Sequence, residues 1–137
     1  MPNAIRKVDY YALTVPDKAG EGHRIVSALA HEGVNLLAMI GFPLGEGKAQ
    51  IDLVPENPPA FVQAAERMKL RPRKAKQAFL VQGDDRVGAV SEVLGRLASQ
   101  KIQLTAAQAL AAGAGRWAMI LWVKPGSVDK AAKALGV

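Results

Sequence analysis

Asp17-Lys-Ala-Gly20 and Asp85-Arg-Val-Gly88 are the places where this 137-residue chain could hold a ligand. Each separates a run of β-forming residues from a run with helical spacing. The pair has a structural use: Asp caps the free N–H groups at a helix start, and Gly supplies the backbone angles of a tight turn. It also has a chemical use. A helix N-terminus beside a glycine turn presents unpaired N–H groups and the positive end of the helix dipole, which suits a carboxylate or phosphate. The first run continues as Glu21-Gly22-His23, and the second as Ala89. Gly22 in a first helical turn costs stability, which fits close approach of a ligand. The candidate ligand-binding residues of the two turns are therefore Asp17, Gly20, Glu21, Gly22 and His23, and Asp85, Gly88 and Ala89.

Other chemistry is poorly supplied. Glu21 and His23 could serve as an acid–base pair in a small lyase or isomerase, but nothing else in the sequence completes such a site. The expectation is a protein that is not an enzyme, without cofactor or metal. The two His residues show no ligand spacing, and zero Cys removes thiolate metal sites, thiol catalysis and disulfides. Gly45-Glu-Gly47-Lys48-Ala49 lacks the glycine spacing of a phosphate loop and has Ala where Ser or Thr would bind magnesium.

The net charge is +6, and Arg71, Arg73, Lys74 and Lys76 fall within six residues. Such a cluster reads first as a solvated connector. Its functional alternative is nucleic-acid binding through residues 71–76, without the aromatic strands that stack bases. No stretch reaches the about 18 uncharged apolar residues of a membrane span, and the N-terminus lacks the apolar run of a signal peptide. A cytoplasmic protein that does not enter membranes is expected.

The elements that must position the candidate residues come in two copies. A shift of about 68 residues lays Asp17 on Asp85, Gly20 on Gly88, Leu29 on Leu97 and Leu36 on Leu104. In the first copy, strands are predicted over 8–15, 34–42 and 48–54. Helices carry Ile25, Val26, Leu29 and Ala30, then Phe61, Ala64, Ala65 and Met68, with Pro58-Pro59 opening the second. In the second copy, strands over 78–82, 102–110 and 116–123 alternate with helices around Val90–Ala98 and Val128–Leu135. A short last strand is expected over 71–77 in the first copy, and the second copy ends without room for one. Each copy thus reads as the split βαβ arrangement, with an antiparallel sheet and both helices on one face.

A first strand ending in Asp-x-x-Gly, a helix, Gly33-Val-Asn35-Leu36 entering a second strand, then a hairpin and a second helix resembles the ACT domain family. The resemblance runs once through each copy. It implies an α+β fold of two tandem ferredoxin-like (βαββαβ) modules, 4–73 and 74–137, with the last strand of the second copy missing. It further implies a stand-alone regulatory protein that senses a small molecule, commonly an amino acid. The ligand would lie where modules meet, between the strand-to-helix turn of one and the second strand of its neighbour. That places Asn35, and Gln103 in the second copy, at the opening of the second strand, where a side-chain amide can donate to a carboxylate and accept from an ammonium group. A homodimer and an effector protein are the partners expected. The two sites need not be equivalent, because Glu21-Gly22-His23 stands against Ala89-Val90-Ser91 and Asn35 against Gln103.

Overall fold

The computed structural model describes residues 3–137. Among them are six strands and four α-helices: β1 (Ala4–Pro16), α1 (Glu21–His31), β2 (Leu36–Gly45), β3 (Lys48–Pro55), α2 (Pro58–Arg67), β4 (Lys76–Asp84), α3 (Ala89–Ser99), β5 (Leu104–Gly113), β6 (Arg116–Val123) and α4 (Val128–Leu135). The chain divides into two compact units. One is Asp9–Lys76, and the other is Gln77–Val137 together with residues 3–8. Each unit has a ferredoxin-like arrangement.

In the first unit the strand order is β2-β3-β1, all antiparallel. Period-two alternation puts Tyr11, Leu13 and Val15 of β1 and Ile51 and Leu53 of β3 on the face that meets the helices. They pack with Ile25 and Leu29 of α1 and Phe61, Ala64 and Ala65 of α2 in one core. Tyr11 and Phe61 bring their rings to a centroid separation of 4.6 Å. Asn57 starts α2, its side chain accepting from the Ala60 N–H at 3.1 Å ahead of the two prolines. The last strand expected over 71–77 does not form: residues 70–75 have no regular structure, and β4 begins only at Lys76. Pro72 has no N–H to give a ladder. Leu70 N–H bonds Ala65 C=O and Arg73 N–H bonds Ala12 C=O, each at 2.9 Å, and the second ties the segment to β1.

In the second unit Phe79 and Val81 of β4 and Trp117, Met119 and Leu121 of β6 pack against Val93 and Leu97 of α3 and Ala131 and Leu135 of α4. The place of the missing last strand is taken from elsewhere in the chain. β1 is longer than the sequence suggests, and its first residues stand beside β4, giving the order β1 (residues 4–8)-β4-β6-β5. Ile5 packs against this core, and Asn3 Oδ1 lies 3.4 Å from Trp117 Nε1. An unpaired strand edge is a standing liability, and the N-terminal residues cover it.

The duplication holds at the level of single hydrogen bonds. Asp17 N–H donates to Gly47 C=O at 2.9 Å, and Asp85 N–H to Gly115 C=O at 2.8 Å. Both first helices end in the same cap: Val34 N–H bonds Leu29 C=O and Ile102 N–H bonds Leu97 C=O, each at 3.0 Å, with a left-handed residue before it. That residue is Gly33 in one copy and Lys101, φ 55°, in the other. A side chain in this region costs about 1–2 kcal/mol, offset partly by the greater freedom glycine has in the unfolded chain. Lys101→Gly is therefore expected to stabilise the protein by roughly 0.5–1 kcal/mol, read from urea midpoints at unchanged m-value.

Alkaline pH tests the first unit's sheet. Burial, and then the nearby Asp52 carboxylate, raise the pKa of Tyr10 above its ordinary value, with Arg73 opposing; burial, and then Asp9, raise that of Tyr11. A raised folded-state pKa means that the neutral phenol is favoured by folding. The stability is then complete below the unfolded-state pKa and is lost as pH rises through the folded-state value. Melting temperature should fall above about pH 10, and Tyr10→Phe should lessen that fall without changing the melting temperature's dependence on pH between 6 and 8.

Candidate functional site

The strand-to-helix turn of the second unit opens onto a cleft of about 290 Å³. Asp85, Arg86, Gly88, Ala89, Val90 and Ser91 form one wall, and Ala109, Leu110 and Ala111 of β5 with Trp117 of β6 form the other. Hydrogen bonding builds the turn. Asp85 is held by its N–H to Gly115, Ala89 N–H reaches Arg86 C=O at 3.2 Å, and Glu92 N–H reaches Gly88 C=O at 3.0 Å. Gly88 is the N-cap, at φ 87°, a left-handed conformation that side chains resist.

Asp85 and Asp17 do not cap the helices as their position suggests. Gly88 and Gly20 occupy the N-cap positions, and neither cap has a side-chain hydrogen bond. The N–H groups of Val90 and Ser91 thus have no intrahelical acceptor, as helix geometry requires of a first turn, and both residues are exposed at the cleft. Asp85 lines the cleft instead. Arg86 pairs with Glu92, which also lies 3.9 Å from Arg96. The far wall is apolar: the Trp117 ring is buried, whereas Leu110 is 64% exposed.

The corresponding turn of the first unit is built alike, from Asp17, Gly20, Glu21, Gly22 and His23. Arg24 N–H donates to Gly20 C=O at 2.9 Å. Its side chains are committed differently. Both Nε and Nη2 of Arg24 donate to Glu21 Oε2, at 2.9 and 2.7 Å, so the carboxylate considered as a base is tied up in an ion pair. His23 is exposed. A Cβ on Gly22 would meet the Met39 methyl at 3.5 Å, an ordinary contact, so packing alone does not require glycine there.

The two amides expected to read a ligand have local partners. Asn35 Nδ2 donates to Glu56 Oε2 at 2.7 Å, and Gln103 Nε2 lies 3.4 Å from Leu104 C=O. Asp85, Gly88 and Ala89 therefore line one cleft, and Gln103 is not among its lining residues. Arg86, Val90, Ser91, Leu110 and Trp117 join the cleft without having been singled out as ligand contacts. For Val90 and Ser91 a signal existed, since they align with Gly22 and His23 under the 68-residue shift.

Among the described residues no group of His, Cys, Asp and Glu is arranged to hold a metal ion, and no helix is long and apolar enough to cross a membrane.

No protein-family model and no curated protein sequence matches the chain. Solved structures do. A protein from Bacteroides thetaiotaomicron superposes with a TM-score of 0.80 at 16% identity, over 96% of this chain and 88% of its own. The regulatory subunit of aspartate kinase from Thermus thermophilus, in a ligand-free form, gives a TM-score of 0.64 at 15% identity, over 98% and 94%. The same subunit from Thermus flavus gives 0.62 at 17%, over 99% and 95%. At these identities the likeness is one of fold, and the fold is the one these structures share.

Proposed function

We infer that this protein is a non-catalytic regulatory module that senses an amino acid at the α3 turn of its second unit. The observation that carries this reading is the chemical division of the cleft. On one wall, free N–H groups, a helix dipole and the Ser91 hydroxyl suit a carboxylate, while Asp85 suits an ammonium group. The opposite wall, Leu110 and Trp117, suits an apolar side chain. A volume of about 290 Å³ matches the low end of small-molecule sites. The solved relatives named as regulatory subunits support a regulatory role over a catalytic one. The pairing of Glu21 with Arg24 speaks against a lyase or isomerase built on Glu21 and His23.

The cleft is open along β5, whose residues from Thr105 to Gly113 are all exposed. A second copy of the chain would close it, which supports a homodimer as the working form. A ligand favouring that closed arrangement would shift the equilibrium toward it, and an effector protein would read the change.

The test is a thermal-shift screen of the amino acids. An apolar α-amino acid at about 100 times its Kd should stabilise the protein by about 2.7 kcal/mol, whereas its amide or its deaminated acid should do so far less. Absence of stabilisation by every amino acid at millimolar concentration would refute the reading.

A further inference from the structure

The basic segment 71–76 is not a free connector. Its residues close a second cleft, of about 170 Å³, in the first unit, on the opposite face of β1 and β3 from the helices. Tyr10 and Ala12 of β1, Gln50 of β3, and Arg73, Lys74 and Lys76 line it. The backbone bond from Arg73 N–H to Ala12 C=O anchors the segment over the sheet.

Behind this lining lies Asp52, 7% exposed and the one buried charged residue of the described chain. Gln50 Nε2 donates to Asp52 Oδ1 at 2.8 Å, and Gln50 Oε1 accepts from Arg73 Nη2 at 2.8 Å. The buried carboxylate therefore fixes the orientation of the amide, and the amide fixes the guanidinium. One Arg73 nitrogen is used in this way, leaving its remaining donors for a planar or tetrahedral anion. Lys74 and Lys76 are exposed, and neither has an ion-pair or hydrogen-bond partner among the described residues. Three cations against one buried, already bonded carboxylate leave an excess of two positive charges.

We propose that this cleft binds a small dianion, with the charge of a dicarboxylate or a phosphate ester, as a site separate from the α3 turn. Its volume is below that of sites for drug-sized ligands, which excludes a whole nucleotide. Arg73 is the orienting contact, and Lys74 and Lys76 supply charge. Asp52 is a positioning residue: it orients Gln50, which in the cleft wall orients Arg73.

Titration calorimetry and thermal shift at constant ionic strength test this, with inorganic phosphate and succinate as dianions, acetate as monoanion and a single-stranded oligonucleotide as polyanion. Saturable binding of phosphate or succinate, at least tenfold tighter than acetate, is expected, and whichever binds better identifies the source of the charge. Arg73→Gln and Lys74→Gln should each weaken it at least fivefold, while Ser91→Asp leaves it unchanged. Equal binding by acetate, or binding unaffected by both substitutions, would overturn the proposal. So would binding of the oligonucleotide alone with a steep loss in salt, which would make the segment a nucleic-acid contact. Because Arg73→Gln and Lys74→Gln lie outside the α3 turn and the probes are not amino acids, either reading can fail alone.

Discussion

Phe61→Ala should destabilise the protein by about 3–5 kcal/mol, the usual cost of emptying an aromatic site in a core. Phe61 is fully buried on α2. It is also the residue through which α2 meets the sheet, because its ring lies against that of Tyr11. Removal takes away the transfer energy of a benzyl group, the ring–ring contact and the packing of Ile25 and Leu53, which share the core. The neighbouring side chains come from two helices and two strands, so no single movement can fill the space. Native stabilities are only about 5–15 kcal/mol, so a loss of this size takes a large share of the total. For a chain of this length the melting temperature should fall by about 10 °C or more. Val62→Ala is the control. Val62 is 42% exposed one position along the same helix, and its loss should stay within about 0.5 kcal/mol. A cost for Phe61→Ala below about 1 kcal/mol would show that α2 does not pack on this sheet as described.

Much of this core could be read without coordinates, and the reason is periodicity. Phe61, Ala64, Ala65 and Ile25, Leu29 repeat at helical spacing, and Ile51 and Leu53 alternate with Gln50 and Asp52. Such patterns report which face is buried whatever lies opposite. The turns could also be read, because the requirement for glycine at Gly20 and Gly88 is local. What could not be read depends on partners distant in sequence. The strand expected over 71–77 fails at Pro72, and residues 4–8 fill the vacant edge of the second unit, a pairing that no local pattern announces. Leu110 and Trp117 reach the cleft through the β5–β6 register, which sets Ala111 opposite Trp117. In the sequence they are only the last residue of one predicted strand, 102–110, and a tryptophan near the start of the next, 116–123. Lys101 carries a left-handed backbone with no local signal, and only its alignment with Gly33 hints at it. Asp52 sits on the polar side of a clean alternation, yet it is buried.

Ser91→Asp should weaken amino-acid binding by about tenfold to a hundredfold while leaving the fold intact or slightly more stable. Ser91 is exposed in the first turn of α3, where a negative side chain interacts favourably with the helix dipole by about 0.3–1 kcal/mol. The same charge would stand where the ligand carboxylate is proposed to rest. Two like charges about 4 Å apart repel by about 1 kcal/mol in water and about 4 kcal/mol at the effective dielectric of a protein surface, and 1.4 kcal/mol is tenfold in affinity. Stability and binding are thus driven in opposite directions, so a loss of binding cannot be put down to unfolding. Ser91→Ala removes one donor and should cost only about 0.5–1.5 kcal/mol. His23→Asp puts the same charge at the equivalent position of the first unit. If only the second unit's cleft is used, it should leave affinity unchanged. Loss of binding in His23→Asp but not in Ser91→Asp would move the site to the first copy. Equal loss in both would mean that two like sites act together, against the inequivalence of Glu21-Gly22-His23 and Ala89-Val90-Ser91.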